Sequence, residues 1–172
     1  MTNQAFTEAV IRMTPTLYRI ARGQLLIEAD QQDAVQEAIR RSWEKRNSLK
    51  NERYLQTWVI RILLNVCHDI QRHGKREFPI EELPERQLEA PDYIDLRDAL
   101  FRLKEKERVP VILHYVEGYD VKHVAEILKI PVNSVKTRLM RARAHLRNIL
   151  NEEALEENET ECGFQKSIGT AG

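Results

Sequence analysis

The sequence has few cysteines and no long apolar run, and both shortages narrow the class of protein. Two of its 172 residues are cysteine. Cys67 lies in an apolar helical pattern and Cys162 in a polar stretch. Two such cysteines do not indicate a disulfide framework, and this low count is typical of a protein in a reducing compartment. No run of about 18 apolar residues could span a bilayer, and the start, MTNQAFTEAV, lacks the pattern of a secretion signal. We therefore predict a cytoplasmic protein without direct membrane insertion.

Net charge and catalytic motifs are missing too. The 27 Lys and Arg residues balance the 27 Asp and Glu residues, which argues against a protein that coats nucleic acid by bulk charge. The histidines are scattered, and no metal-binding spacing or glycine-rich phosphate loop occurs. Cys67 and His68 are helix neighbours that point about 100° apart, so they do not form a compact ligand pair. We expect no enzyme, no metal and no cofactor.

Apolar residues recur with a helical period along nearly the whole chain, and no strand alternation is convincing, so we predict an all-α fold. One short helix is expected around Phe6, and a second is expected to start at Thr14-Pro15. Asp30 is expected to cap a third helix. A long helix is expected over Glu52–Arg72. In the second half, Pro110 is expected in the first turn of a helix, and Gly118 is expected to end that helix.

An acidic segment divides the chain. Between Glu77 and Asp98 there are eight acids against two arginines, with three prolines. Proline blocks helix propagation and like charges repel, which is typical of a linker. We predict two small helical domains, residues 1–74 and 93–150, joined by an acidic flexible linker at residues 75–92. An acidic, disordered tail is expected at residues 151–172.

The stretch VKHVAEILKIPVNSVKTRLMRARAHLR, residues 121–147, has helix-turn-helix spacing. Ala125 supplies the small residue that is needed where the helices cross. Lys129 occupies the turn position that is often glycine, where a left-handed backbone costs about 1 kcal/mol. Asn133 is expected to cap the second helix. The residues predicted to face inward are Val121, Val124, Ala125, Leu128, Val135, Leu139, Ala142 and Leu146.

Cations without acids mark the outward face of the second helix. From Ile127 to Asn151 there are six Lys or Arg residues and no acid. Such side chains bind phosphates and guanine edges. The plainer alternative is a solvated basic helix of a bundle, but the paired helix and the short turn favour DNA binding.

Two further motifs precede this segment: DQQDAVQEAIRRSW at residues 30–43 and YLQTWVIRILLNVCHDIQRHGKR at residues 54–76. Together with the helix-turn-helix they resemble the bacterial sigma factors. The closest match is the extracytoplasmic-function (ECF) group of the sigma-70 family, which keeps only regions 2 and 4. The resemblance covers residues 14–76 and 93–148. It implies a region 2 bundle, a region 4 helix-turn-helix, and a factor that binds core RNA polymerase and directs promoter-specific initiation.

The resemblance also implies residue roles. Docking on core polymerase is implied for an outward strip formed by Asp33, Gln36, Glu37 and Arg40. Recognition and melting of the minus-ten element is implied for Arg53, Trp58, Arg61, Asn65 and Arg72. The loop at about Ser48–Arg53 would help to form a pocket for a flipped base. Reading of the minus-thirty-five element is implied for Asn133, Ser134, Lys136, Thr137, Arg138, Met140, Arg141 and Arg143, with Arg138 and Arg143 favoured as phosphate contacts.

These roles have plainer alternatives. The outward strip of Asp33, Gln36, Glu37 and Arg40 is equally typical of a solvated helix face. Trp58 belongs to the apolar stripe of the long helix that is expected over Glu52–Arg72, which favours a core position over base stacking. The basic end that includes Arg72 can simply solubilise the helix.

The implied partners are core RNA polymerase, promoter DNA and an anti-sigma factor. On the polymerase, the clamp helices of the largest subunit and the flap of the second-largest subunit would be contacted. The protein would associate with the nucleoid when active, or stay at the membrane when a membrane-bound anti-sigma factor holds it. A second hypothesis is that the acidic linker and tail shield the basic faces of the free protein. The alternative function is a one-component helix-turn-helix regulator that acts without polymerase.

Overall fold

The computed structural model describes residues 2–77 and 96–149, without the side chains of residues 74–77 and 96. We call residues 2–77 the N-terminal module and residues 96–149 the C-terminal module. Every regular element in these two ranges is helical, which confirms the predicted all-α class. Most of the predicted linker and all of the predicted tail lie outside the described residues.

Helix α1, Asn3–Arg22, is one continuous helix where the sequence predicted two. Thr2 caps its start, because the Thr2 hydroxyl oxygen accepts the Ala5 N–H at 3.2 Å. Pro15 lies inside the helix, so the predicted break at Thr14-Pro15 is wrong. Buried side chains on both sides of Pro15 form one stripe, and their packing outweighs the hydrogen bond that proline removes. The buried residues are Phe6, Val10, Leu17, Ile20 and Ala21.

Helix α2, Glu28–Glu44, begins before its predicted cap. Ile27 holds the N-cap position without a side-chain hydrogen bond, so the prediction that Asp30 caps the helix is wrong. Asp30 lies in the first turn, where its charge complements the positive end of the helix. The apolar side chains of α2 face the core: Ala34, Val35 and Ala38 are buried, Ile39 is half-buried, and Trp43 is the exception. The Trp43 ring is 38% exposed and packs edge-on against Phe6 at 5.7 Å between centroids.

Helix α3, Leu55–Glu77, follows short 3-10 turns at Arg46–Ser48 and Glu52–Tyr54. It continues past its predicted end at Arg72. Trp58 is half-buried and packs against the core, as its place in the apolar stripe predicted. The buried apolar side chains of the described part of α3 are Leu55, Val59, Ile60, Leu63, Val66 and Cys67.

The C-terminal module begins with α4, Leu96–Arg102, and α5, Glu105–Val111, which runs directly into a π-helical turn, Ile112–Val116. Pro110 lies inside α5 and not in its first turn, so its predicted position is wrong. All residues from 107 to 113 are buried, and this packing keeps the helix intact around the proline.

Among the described residues, Gly118 and Lys129 have a positive φ, and both follow helix ends. Gly118, at φ 77°, ends the π-helical turn as predicted, and the next N–H, of Tyr119, donates to the Leu113 carbonyl at 3.0 Å. Lys129, at φ 53° and ψ 44°, is left-handed, so the cost of about 1 kcal/mol for a residue with a Cβ atom applies at this turn position.

Helices α6, Val121–Leu128, and α7, residues 132–149, form the predicted helix-turn-helix. Asp120 caps α6 by accepting the His123 N–H at 2.8 Å. Asn133 does not cap α7, contrary to prediction, because it lies inside the first turn. The carbonyl of the proline before the helix accepts the first N–H bonds instead. The predicted inward residues are buried or half-buried, and Ile127, which was not predicted, is buried as well.

The two modules pack against each other. Helix α3 contacts α6, and the buried side chains of both modules belong to one continuous apolar cluster. A Cβ atom on Gly23, at the end of α1, would overlap Cδ1 of the buried Ile112, so the chain passes very close to the π-helical turn there. We call this packed arrangement the closed form.

Candidate nucleic-acid interface

The outward face of α7 is cationic and accessible. Lys136, Arg141 and Arg143 are exposed, and Met140, between them, is 58% exposed. The remaining predicted residues differ in exposure: Asn133 and Thr137 are exposed, whereas Ser134 and Arg138 are half-buried. The Thr137 hydroxyl donates to the Asn133 carbonyl at 2.9 Å. The structure therefore brings the predicted minus-thirty-five residues together on one helix, with Lys136, Met140 and Arg141 exposed along its middle.

The inward face of α7 is fixed by packing and by one polar contact. Val135 and Ala142 have no exposed surface. Nδ1 of His145 lies 2.7 Å from Oε2 of Glu107, on α5. Within the described residues no ion pair engages Lys136, Arg138, Arg141 or Arg143. The rigid helix thus presents unneutralised cations, which is the arrangement that attracts a phosphate backbone.

The central part of α3 carries the predicted minus-ten residues. Asn65 is exposed, and Arg61, one helical turn earlier, is half-buried. The Arg61 guanidinium donates from Nε to the Ile127 carbonyl at 2.9 Å and from Nη2 to the Glu126 carbonyl. Arg61 is therefore bound to the end of α6 in the closed form, while Asn65 is accessible.

Arg53 and Arg72 lie at opposite ends of this segment. Arg53 lines a cavity of about 350 Å³ between α1 and the start of α3. Arg72 is 61% exposed at the side chain, and its Nη2 lies 3.8 Å from Asp69. The structure does not gather all five predicted minus-ten residues into one patch, since Trp58 packs against the core.

A second cavity, of about 210 Å³, lies in front of α3 and includes residues that the sequence did not single out. Its lining residues are Phe6, Arg46, Asn47, Leu49 and Glu52. Arg46 stacks on Trp43, with its guanidinium carbon 4.2 Å from the ring centroid, and donates to Asn3 at 3.0 Å. The predicted loop at Ser48–Arg53 therefore forms only part of the concave surface. The spacing of Arg46 three residues after Trp43 was the sequence signal that could have added Arg46 to this surface.

The strip predicted to dock on polymerase is contiguous on α2. Asp33, Gln36 and Arg40 are exposed, and Glu37 is half-buried between them. Glu37 accepts hydrogen bonds from Arg40 and, at 2.6 Å, from Arg41. These two side chains lower the pKa of Glu37 to about 2. The carboxylate is thus ionised at any physiological pH and held in one orientation.

The described residues offer little for chemistry. They contain no group of three or more His, Cys, Asp or Glu side chains arranged to hold a metal. Burial raises the pKa of the Cys67 thiol to about 12, so it is not a nucleophile near neutral pH. No described helix is long and apolar enough to cross a membrane. The accessible features of the described residues are charged and polar surfaces.

Sequence comparison identifies both modules. A model of Sigma-70 region 2 matches residues 10–77, and a model of Sigma-70, region 4 matches residues 93–146. The RNA polymerase sigma-E factor of Streptomyces coelicolor is 30% identical over 167 residues, which is 91% of this chain and 94% of that protein. The ECF RNA polymerase sigma factor SigM of Mycobacterium tuberculosis is 29% identical over 151 residues, 85% of this chain and 77% of that protein.

Solved structures share the fold. The sigma factor RpoE from Bartonella quintana, crystallised with the anti-sigma factor NepR, superposes with a TM-score of 0.72 at 25% identity, over 86% of this chain and 98% of that one. CnrH, in complex with the cytosolic domain of CnrY, superposes with a TM-score of 0.69 at 24% identity, over 88% of this chain and 90% of that one. The second likeness is one of fold alone.

Proposed function

Because the chain belongs to the ECF group of sigma-70 family RNA polymerase sigma factors, we propose how its two modules divide the work of promoter-directed transcription initiation. The C-terminal module reads the minus-thirty-five element as duplex. The N-terminal module binds core polymerase and recognises and melts the minus-ten element. The polymerase performs the catalysis. The observation that carries this division is the acid-free cationic face of α7, together with a separate polar face on α3.

Region 4 is suited to duplex reading by the geometry of α7. A recognition helix enters a major groove of about 12 Å width and contacts base edges with its N-terminal half. Lys136, Met140 and Arg141 project from that half or just beyond it and are exposed. Arg138 and Arg143 flank them and suit phosphate contacts. Arg141 is the strongest candidate for a base contact, because arginine can bind guanine through two hydrogen bonds.

Region 2 is suited to capture of an opened strand. Unpairing and flipping a base costs a few kcal/mol, and a pocket that binds only the flipped base recovers that cost. Asn65 offers an amide from the outward face of α3, and the two cavities before α3 offer concave surfaces lined by Arg46 and Arg53. Melting is then driven by binding energy that is available only at the correct sequence.

Polymerase binding is assigned to the α2 strip. Its fixed Glu37 carboxylate, with Asp33 and Gln36 beside it, presents acceptors to a basic partner surface. The clamp helices of the largest subunit would receive this strip, and the flap of the second-largest subunit would hold region 4. An anti-sigma factor is proposed as a further partner, because RpoE, with a similar structure, was solved in complex with one.

The test is binding to core polymerase and to promoter DNA, measured separately and together. We expect nanomolar to micromolar binding to core polymerase, and specific promoter binding that appears only with the polymerase present. Specific operator binding by the protein alone, with no affinity for core polymerase, would instead establish the one-component regulator. Glu37→Lys serves as the interface variant and Glu8→Lys, on the exposed part of α1, as the charge-matched control.

A further inference from the structure

Four polar contacts join the modules in the closed form. Nη2 of Arg97, on α4, donates to the Leu26 carbonyl at 3.0 Å and to the Leu25 carbonyl at 3.3 Å. Arg19 on α1 binds Glu117 through two hydrogen bonds of 2.8 Å. The Gln56 amide on α3 donates to the Tyr119 hydroxyl at 2.6 Å. Arg61 on α3 binds the end of α6.

The Arg19–Glu117 ion pair joins a buried carboxylate to an exposed guanidinium. The Glu117 side chain is only 2% exposed, whereas Arg19 is 52% exposed. A carboxylate that is removed from water needs its partner, because an unpaired buried charge is strongly unfavourable. Separation of the modules would break this pair and return the carboxylate to water. The pair therefore contributes to closure without belonging to any surface proposed for DNA or polymerase.

Arg61 satisfies the end of α6. The last carbonyls of a helix have no partners within the helix, and a cation there also complements the negative end of the helix dipole. Ile127 supplies such a carbonyl, two residues before the left-handed Lys129 of the turn, whereas the Glu126 carbonyl accepts both Arg61 and the Lys129 N–H. Region 2 thus completes the helix-turn-helix of region 4 with a side chain from its own proposed DNA surface.

We infer that Arg61 is a latch: it holds the free protein closed by capping α6, and it must leave α6 before the minus-ten strand can reach it. The inference rests on the proposed DNA role of Arg61, since its guanidinium fork cannot face α6 and a DNA strand at once. Any ligand that binds only the open form shifts the population towards it. Polymerase and promoter binding would therefore be coupled to separation of the modules.

Energy transfer between two dyes measures closure directly in the full chain. Ala5→Cys and Lys106→Cys each place a single thiol on an exposed position, of α1 and of α5, away from the residues proposed to contact DNA or the polymerase clamp. Cys162→Ser removes one native thiol, and the buried Cys67 does not react near neutral pH. We expect high transfer in this parent protein. Low transfer in the parent, comparable to that of the same protein unfolded in urea, would overturn the latch, because the free protein would then not be closed.

The variants separate the latch from general loss of structure. Arg61→Ala and Arg19→Glu are each expected to lower transfer with unchanged helical content. Arg19→Glu combined with Glu117→Arg recreates the ion pair in reverse and should restore transfer. Unchanged transfer in Arg61→Ala would overturn the latch.

Transcription assays on the same variants distinguish the latch from the proposed function. Lowered transfer with normal transcription in Arg61→Ala would support the latch as an interdomain contact and contradict the DNA role of Arg61. Lost transcription with unchanged transfer would overturn the latch and leave the DNA role standing. The full proposal expects Arg61→Ala to lose both. It also expects Arg19→Glu, which opens the modules but retains Arg61, to transcribe at least as well as the parent.

Discussion

Asn65 lies one helical turn beyond Arg61 on α3, and only Asn65 remains accessible while Arg61 caps α6. Two neighbouring polar side chains of one face therefore differ in availability in the free protein. An opened strand could meet Asn65 first, whereas Arg61 must be released.

Asn65→Ala should impair initiation more on a closed template than on one that is already unpaired at the minus-ten element. The reason is that capture of a flipped base offsets the cost of unpairing, which the second template does not require. Initiation rates on the two templates give the answer, with His68→Ala, an exposed neighbour on α3, as the control. An equal loss on both templates would contradict base capture.

Arg141→Ala should weaken binding to the minus-thirty-five element by about 1–3 kcal/mol if Arg141 contacts a base. The loss should fall mainly on the cognate sequence and relax the preference at one base pair. Arg143→Ala is the comparison: as a phosphate contact it should weaken binding to all sequences and lower the salt dependence by about one counterion. Binding isotherms on cognate and altered duplexes at several salt concentrations separate the two roles. A uniform loss for Arg141→Ala would make it a phosphate contact as well.

Glu37→Lys should lower affinity for core polymerase while the fold remains intact. Glu37 pairs with Arg40 and Arg41 at the surface, where water screens ion pairs, so these pairs add little to stability. The thermal midpoint should therefore change little, whereas binding to the polymerase should fall well below that of Glu8→Lys. Unaltered affinity would remove this strip from the interface.

Lys129→Gly should be more stable than Lys129→Ala by roughly 0.5–1 kcal/mol, because glycine adopts a left-handed backbone without the Cβ penalty. Both variants remove the same charge, so the comparison isolates the backbone. Urea unfolding midpoints measure the difference. A glycine variant no more stable than the alanine variant would show that the turn is not strained at this position.

The helix faces could be predicted from the sequence because burial follows the 3.6-residue period. Val135, Leu139 and Ala142 were expected inside and are buried, and the helix-turn-helix spacing also placed Lys129 in the turn between the two helices. The same local rules failed at Pro15, Pro110 and Asn133. In the first two cases buried neighbours on both sides of the proline hold the helix together, and these contacts lie far away in sequence.

The closed form had no local signature. Arg61 binds carbonyls 65 and 66 residues away, and any residue can supply a backbone carbonyl. Arg19 and Glu117 are 98 residues apart and look like ordinary surface charges in sequence. The candidate surfaces on α2 and α7 could be predicted because each lies on one helix. The hydrogen bonds of Arg61 to the end of α6 could not, because they depend on how the two modules pack.

Run-off transcription with purified core polymerase, with and without this protein, on a fragment taken from upstream of its own gene tests the central claim most directly. A sigma factor should produce a specific transcript that appears only when the protein is added and that disappears with Glu37→Lys. No transcript, together with sequence-specific DNA binding in the absence of polymerase, would contradict the account and favour a regulator that acts alone.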